Sequence, residues 1–258
     1  MFPRRKDSPD FGIIGFPKSG TSSLYVHLRT RKGIRMIQGE HPLPRLLKQV
    51  SRVKARPGDA VGFKTPNFIY QPEDLARLNR INPAMKIIVC LREPASWLYS
   101  FYHYRQLEIT QERDWIRPHL QRNPRLSEIS FADVASGKSN VLGVERNKGC
   151  FVQYLKQLTA LFPAEQVHVV LLENLEACAE REYRGLFEFL EVQESSPGPG
   201  SFGAHNVNHL QYDPKHLHRR ELEELFGFYE EHVQELDAFL NDQFGLKLPE
   251  SYYHLRLT

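Results

Sequence analysis

Apolar residues fall along this chain in two patterns, short unbroken runs and longer stretches in which they recur every three or four positions. Residues 11–14 (FGII) form one such run, which enters a Gly/Ser/Thr turn and then residues 22–28, of helical character. A second short strand is expected at 60–63, just before Lys64. Pro72 opens a helix through Leu78, and residues 85–91 (MKIIVCL) read as a strand buried on both faces. Pro94 starts a helix to about Tyr104, and residues 106–140 are polar and read as irregular. Further on, residues 149–161 read as helix, 167–172 (VHVVLL) as a buried strand and 181–190 as helix.

Residues 194–203 (ESSPGPGSFG) are a loop of turn formers. In residues 213–241, Leu222, Leu225, Phe226, Tyr229, Val233, Leu236 and Leu240 recur at helical spacing, which predicts an amphipathic C-terminal helix. Strands alternating with helices predict an α/β fold with a central parallel sheet flanked by helices. With no internal repeat or low-complexity linker, residues 1–258 read as a single domain.

The composition supports this reading and narrows the function. A chain of 258 residues, 41% hydrophobic, can bury a large core without disulfides or metals. Its net charge of +3 makes no case for a nucleic-acid partner. The charge is unevenly spread. Residues 29–56 hold Arg29, Arg31, Lys32, Arg35, Arg45, Lys48, Arg52, Lys54 and Arg56 against Glu40 alone, whereas 221–237 are strongly acidic. A basic stretch beside a candidate site suggests an anionic ligand, although the part beyond Arg45 reads equally as a solvated helix face. Cys90, Cys150 and Cys178 have neither disulfide-framework nor zinc spacing, so no metal is expected, and Cys90 reads as a small core residue. The opening MFPRRKDSPD lacks an apolar leader core and no stretch is long enough for a membrane span, so a cytoplasmic location is expected.

The most informative segment is FGIIGFPKSGTSS, residues 11–23. A buried strand enters a glycine-bearing loop and a helix follows at once, an arrangement that offers backbone N–H groups and a helix N-terminus to an anion. Gly15 and Gly20 have the spacing of a Walker A loop. Thr21 and Ser22, however, stand where that motif requires Lys followed by Ser/Thr, and the lysine, Lys18, lies inside the loop. This displacement argues against a kinase or ATPase that holds Mg²⁺ through the loop hydroxyl. A plain glycine turn with an exposed lysine is the bland alternative.

The loop Gly15-Phe16-Pro17-Lys18-Ser19-Gly20-Thr21 resembles the 5′-phosphosulfate loop of sulfotransferases that use PAPS (3′-phosphoadenosine 5′-phosphosulfate). The resemblance implies that Lys18 approaches the bridging oxygen and the sulfuryl group. Pro17, Ser19, Gly20, Thr21, Ser22 and Ser23 would then surround the 5′-phosphate. The second motif of that family is a buried strand ending in Arg, then Asp/Glu-Pro, then a Ser eight residues after the Arg, and Arg92, Glu93, Pro94 and Ser100 match it. An arginine at a strand end can fork onto a phosphate, and Ser100 lies about two helical turns further on. Taken alone, Arg92–Pro94 also reads as an ordinary strand-to-helix turn with a surface Arg–Glu pair. The family implies a P-loop-like sulfotransferase fold, PAPS as donor with PAP (3′,5′-ADP) as product, and no metal. Weaker likenesses to its later landmarks lie at Gly149-Cys150-Phe151 and Glu173-Asn174-Leu175.

Sulfuryl transfer needs cationic stabilisation and a group to take the acceptor's proton. Lys64-Thr65 is followed by Pro66, so the histidine that cytosolic small-molecule sulfotransferases place after Lys-Thr is missing. KTPNF looks instead like the segment of carbohydrate sulfotransferases of the heparan 3-O type, in which the base is a glutamate spaced from the loop lysine much as Glu40 is from Lys18. Glu40 is the first candidate base and His41 the second, with Lys64 near the sulfuryl group or the acceptor. The alternative for Glu40 is simple charge balance within the basic stretch. His103, one turn beyond Ser100, reads as cleft-facing or structural. The basic Lys-Gly-Arg loop of the heparan-type enzymes is replaced by PGPGSFGAHNVNH, where Gly200, Ser201, Phe202, Gly203 and Asn206 offer backbone and amide donors. The expected acceptor is a hydroxyl or amine of a glycan, glycolipid or small secondary metabolite. A nucleotide kinase and a non-catalytic module for anionic ligands are the competing readings.

Overall fold

A computed structural model of the chain describes residues 4–5, 7–192 and 218–254, and these fall into two compact units, one formed by residues up to 91 and from 154 to 192, the other by 92–153 and 218–254. The first unit opens with β1 (Arg4–Arg5), β2 (Phe11–Ile13), α1 (Thr21–Arg29), β3 (Ile34–Met36), α2 (Leu43–Val50), β4 (Lys54–Ala55), β5 (Ala60–Lys64), α3 (Pro72–Ile81) and β6 (Lys86–Leu91). The second unit takes α4 (Pro94–Thr110), α5 (Arg117–Arg122) and α6 (Phe131–Ala135), and the chain returns to the first along α7 (Phe151–Thr159). There it adds β7 (Val167–Leu171), α8 (Leu172–Ala177) and α9 (Ala179–Leu190), before α10 (Arg219–Phe244) completes the second unit.

In the first unit five strands form one parallel sheet in the order β3-β5-β2-β6-β7, and β1 and β4 make a separate antiparallel ribbon. The expected parallel sheet flanked by helices is therefore present. β6 lies between β2 and β7, which is why its residues from Ile87 to Leu91 are all buried and why its sequence carries no polar alternation. Leu24 and Leu28 of α1 and Tyr183, Leu186 and Phe187 of α9 pack with Ile13, Ile88, Cys90 and Val170 of the sheet. Burying each large side chain of this cluster contributes roughly 1.5–3 kcal/mol. Cys90 is a core residue as expected, and burial pushes its thiol pKa up. Between β2 and β5, glycines face aromatic rings: a Cβ on Gly12 would lie 2.5 Å from Phe63, and one on Gly62 would overlap the Phe11 ring.

The second unit is helical. α10 buries Leu222, Leu225, Tyr229, Val233, Leu236 and Leu240, six of the seven positions expected from periodicity, with Phe226 half-buried. Tyr229 donates from its hydroxyl to the Arg146 carbonyl at 2.6 Å and lies against Gly149, where a Cβ would come 2.5 Å from that oxygen. His103 sits among the rings of Tyr99, Tyr102, Phe131 and His218, with its centroid 4.3 Å from that of Tyr99, and this gives it a structural role.

Several elements depart from the expectation. Within the basic stretch β3 is unannounced, whereas α2 has the charged helix face that is one of the two readings of the part beyond Arg45. β3 has three residues, too few to show a period, and α2 buries Leu43, Leu46 and Val50 behind a charged face. The segment 106–140 is less irregular than its polarity suggests. α4 runs on to Thr110 because Glu108, polar in sequence, is buried in a 2.7 Å pair with Arg105. α6 then begins at a Ser130/Asp133 capping box. The expected loop at 194–203 and the donors at Gly200, Ser201, Phe202, Gly203 and Asn206 lie outside the described residues. Among the described residues no helix is long and apolar enough to cross a membrane.

Candidate active site

In an open parallel sheet, ligands gather at the carboxyl ends of the strands, where the strand order reverses. Here β2 is central. The chain leaves it for β5 and β3 on one side and returns to β6 on the other. Ile13, the last residue of β2, pairs with Lys64, the last of β5, so the loop at Gly15 and the Lys64-Thr65-Pro66 segment emerge at the same sheet edge.

The loop is held at its base. Phe16 N–H donates to the Cys90 carbonyl at 2.7 Å, and Cys90 N–H to the Gly15 carbonyl at 2.8 Å, so the chain stays tied to β6 for three residues beyond β2. The buried Phe16 ring packs edge-on against Tyr70 and Tyr154, with centroids 5.7 Å and 6.0 Å away. From this anchor the chain turns sharply. Ser19 N–H donates to the Phe16 carbonyl at 3.2 Å, and both Lys18 (φ 65°) and Gly20 (φ 86°) take left-handed conformations. For a lysine such a conformation costs on the order of 1 kcal/mol. Two left-handed residues within three turn successive N–H groups toward one concavity, the arrangement that binds anions.

What the loop leaves unpaired fits such a ligand. Gly20 caps α1 with no side chain accepting from the first turn, and α1 has no acidic residue there. Among the described residues no protein acceptor meets the N–H groups of Gly20, Thr21 or Ser22. Ser19 is 1% exposed and among the described residues its hydroxyl meets no partner, which is costly unless a bound group supplies one. These donors at a helix N-terminus suit phosphate or sulfate oxygens. Gly20 also touches α8, since a Cβ there would lie 2.9 Å from Leu172 Cδ1. This places the Glu173-Asn174-Leu175 landmark behind the loop.

Lys64 joins the remaining candidates. Its Nζ donates to Glu40 Oε1 at 2.6 Å and to Ser22 Oγ at 3.3 Å, on the first turn of α1. Three residues far apart in sequence thus meet at one ammonium group. The Lys64 side chain is 15% exposed and that of Glu40 44%, so the carboxylate remains open to solvent and to an incoming molecule. Glu40 is therefore paired with Lys64 rather than with an arginine of the surrounding basic stretch. His41 Nε2 donates to the Gln38 carbonyl at 2.9 Å, which commits that nitrogen to a local turn. Beside Lys64, Thr65 is 7% exposed and its hydroxyl also meets no partner among the described residues, a polar orphan that no sequence pattern signals.

Arg92 and Ser100 belong to the second unit. Arg92 is the next residue after β6 and Ser100 lies on α4. Glu93 is buried rather than on the surface. It is 4% exposed and caps α4, accepting from the N–H groups of Ala95 and Ser96, both at 2.6 Å. The Glu-Pro pair thus sets where α4 begins, with Ser100 six residues into that helix. Among the described residues no group of His, Cys, Asp and Glu side chains could hold a metal ion.

The sulfotransferase domain family matches this chain over residues 8–215. Mouse (Mus musculus) heparan sulfate glucosamine 3-O-sulfotransferase 3B1 is 25% identical over 204 residues, which are 73% of this chain and 47% of that protein. The chain spans about half the length of that curated relative. The crystal structure of a sulfotransferase from Alicyclobacillus acidocaldarius matches with a TM-score of 0.68 at 20% identity, covering 95% of this chain and 99% of that one. The sulfotransferase domain from the curacin biosynthetic pathway matches with a TM-score of 0.50 at 14% identity, covering 94% and 99%. At these identities the two structures speak to the fold.

Proposed function

This chain belongs to the sulfotransferase domain family, and on that premise we propose that it transfers a sulfuryl group from PAPS to a hydroxyl or amine of a glycan, glycolipid or small metabolite. The observation that carries the proposal is the meeting of Lys64, Glu40 and Ser22 beside a loop with three unpaired N–H groups and a buried unpaired hydroxyl. PAPS, when bound, supplies the sulfuryl group and leaves as PAP.

The chain's own residues bind, orient and move the proton. The N–H groups of Gly20, Thr21 and Ser22 and the hydroxyls of Ser19, Ser22 and Ser23 hold the 5′-phosphate, with Pro17 shaping the turn. Lys18 would meet the donor's bridging oxygen and stabilise the charge that develops there. Arg92 and Ser100 take the 3′-phosphate. Glu40 accepts the proton of the attacking hydroxyl as the new S–O bond forms and the bond to the bridging oxygen breaks. Lys64 orients that carboxylate and, with Lys18, supplies the cationic stabilisation that a metal provides in kinases. His41 is the second candidate for the proton, through its Nδ1. The glycan acceptor named for the mouse relative favours a carbohydrate here.

Incubation with radiolabelled PAPS and a panel of neutral and anionic glycans, glycolipids and phenols tests the proposal. Label should pass to at least one class without added Mg²⁺. Absence of transfer to every class, combined with phosphate transfer from Mg-ATP, would sink it.

A further inference from the structure

We propose that His41 is a positioning residue for sulfuryl transfer: its ring clasps the turn that carries Glu40 and so holds the carboxylate on Lys64. This role rests on the sulfuryl-transfer reading above and separates the two candidates for the proton. Glu40 takes it, and His41 keeps Glu40 in place.

The segment that carries Glu40 is anchored at both ends and sparsely between them. Before it, the buried Ile37 donates its N–H to the Gly62 carbonyl of β5 at 2.7 Å. After it, the buried Leu43 opens α2, and the N–H groups of Arg45 and Leu46 close the first turn on the Pro42 carbonyl, both at 3.0 Å. Among the described residues no backbone–backbone hydrogen bond involves residues 38–41. Two side-chain hydrogen bonds hold them instead, His41 Nε2 to the Gln38 carbonyl at 2.9 Å and Lys64 Nζ to Glu40 Oε1 at 2.6 Å. The first shapes the turn and the second uses that shape.

The turn needs such a tie. Gly39 is left-handed at φ 81°. Glycine takes that conformation without strain, and for the same reason leaves it readily, having no Cβ to restrict it. The imidazole folds back over this point, since a Cβ on Gly39 would lie 3.4 Å from His41 Cε1 and 3.6 Å from Nε2. Pro42 disfavours helical backbone at His41, so α2 does not extend back to stiffen the turn. His41 and Gln38 therefore grip the backbone on either side of Glu40.

The hydrogen bonding fits a clasp better than a base. A carbonyl accepts only from an N–H, so Nε2 carries its proton in both the neutral and the charged ring, and the clasp survives protonation of Nδ1. Among the described residues His41 makes no hydrogen bond or ion pair to Lys64 or to the donor loop, whereas Glu40 meets Lys64 directly.

The test compares His41→Ala, which removes the clasp, with His41→Gln, whose amide can still donate to the Gln38 carbonyl but cannot act as a base. Initial rates of transfer from PAPS are measured against pH, with Tm as the check on folding. His41→Ala should lose on the order of tenfold in kcat, the weight of one orienting hydrogen bond. Its KM for PAPS and its Tm should hardly move, because residues 38–40 are exposed and His41 is half-buried. His41→Gln should return to within about threefold of wild type and keep the wild-type pH profile. Wild-type turnover in His41→Ala would overturn the proposal. So would a His41→Gln variant as slow as His41→Ala, or one whose pH profile loses a limb, which would make His41 the base. A readout independent of turnover is cutting after Glu40 by a glutamate-specific endoprotease. His41→Ala should be cut there at least about threefold faster than wild type or His41→Gln, and equal rates in all three proteins would overturn the clasp. Wild-type protein that passes no sulfuryl group from PAPS sinks the donor reading instead, and the protease rates then decide the clasp alone.

Discussion

Replacing Glu40 with glutamine removes the carboxylate's charge and basicity while keeping its shape, and the structure separates the two consequences. For stability, the side chain is 44% exposed and among the described residues its one ion pair is to Lys64 at 2.6 Å. An ion pair so open to solvent contributes at most about 1 kcal/mol. In a protein of this size that corresponds to roughly 2–4 °C in Tm. Donor binding should persist, because the unpaired loop donors do not involve Glu40. For turnover, loss of a positioned base costs roughly 10²–10⁴-fold, or about 3–5.5 kcal/mol in the barrier. The assay pairs initial rates of PAPS-dependent transfer with thermal titration by PAP. Glu40→Gln should lose at least a hundredfold in kcat and keep its PAP response. Adding Lys64→Met should cost a further loss, because its ammonium also stabilises transferred charge, but less than Lys64→Met costs in the wild type, since the part it plays through Glu40 is already gone. A kcat within threefold of wild type, or a lost PAP response, would refute the reasoning and move the proton to His41.

Other expectations follow from particular side chains. Glu93→Gln replaces a buried capping carboxylate with a group that accepts at only one oxygen, so it should destabilise by roughly 1–3 kcal/mol; an unchanged Tm would contradict the capping role. Burial of His168 in β7 holds its pKa down to about 4 from 6.5. Between those values the unfolded chain takes a proton that the folded one does not, so stability falls as pH drops from 6.5 to 4, by no more than about 3 kcal/mol. His168→Phe should remove that part of the acid sensitivity while keeping the ring stacked at 5.1 Å on Phe189, and equal Tm losses between pH 7 and 4.5 in both proteins would refute it. Cys178 is exposed whereas Cys90 and Cys150 are buried with raised pKa values. A maleimide should therefore modify one thiol per folded chain quickly, and a second fast equivalent would contradict this.

Much of the sheet was legible because a strand buried on both faces has no reason to alternate, and residues 11–14, 85–91 and 167–172 are apolar apart from Lys86 and His168. β3 escaped notice because its middle residue, Arg35, is an exposed cation paired with Asp59, so no apolar run forms. α2 shows in sequence only as one of two readings of the basic stretch beyond Arg45, because charges interrupt its apolar spacing. The loop around Lys18 and the Arg92-Glu93-Pro94 turn stood out because tight turns and helix starts constrain residue type locally. The contact of Lys64 with Glu40 and Ser22 was not readable, since it depends on the β2–β5 register that sets Ile13 beside Lys64. The unpaired hydroxyls of Ser19 and Thr65 depend likewise on burial, which no local pattern announces.

The most direct measurement is binding of PAP, by calorimetry without divalent metal, to the wild-type protein and to Lys18→Ala and Arg92→Ala. If the two motifs grip one doubly phosphorylated adenosine, the wild type binds PAP and each variant weakens it at least tenfold while remaining folded, as charge-assisted contacts of roughly 1.5–3 kcal/mol require. Wild-type protein that ignores PAP, or an Arg92→Ala variant that binds it as tightly as wild type, would contradict the account.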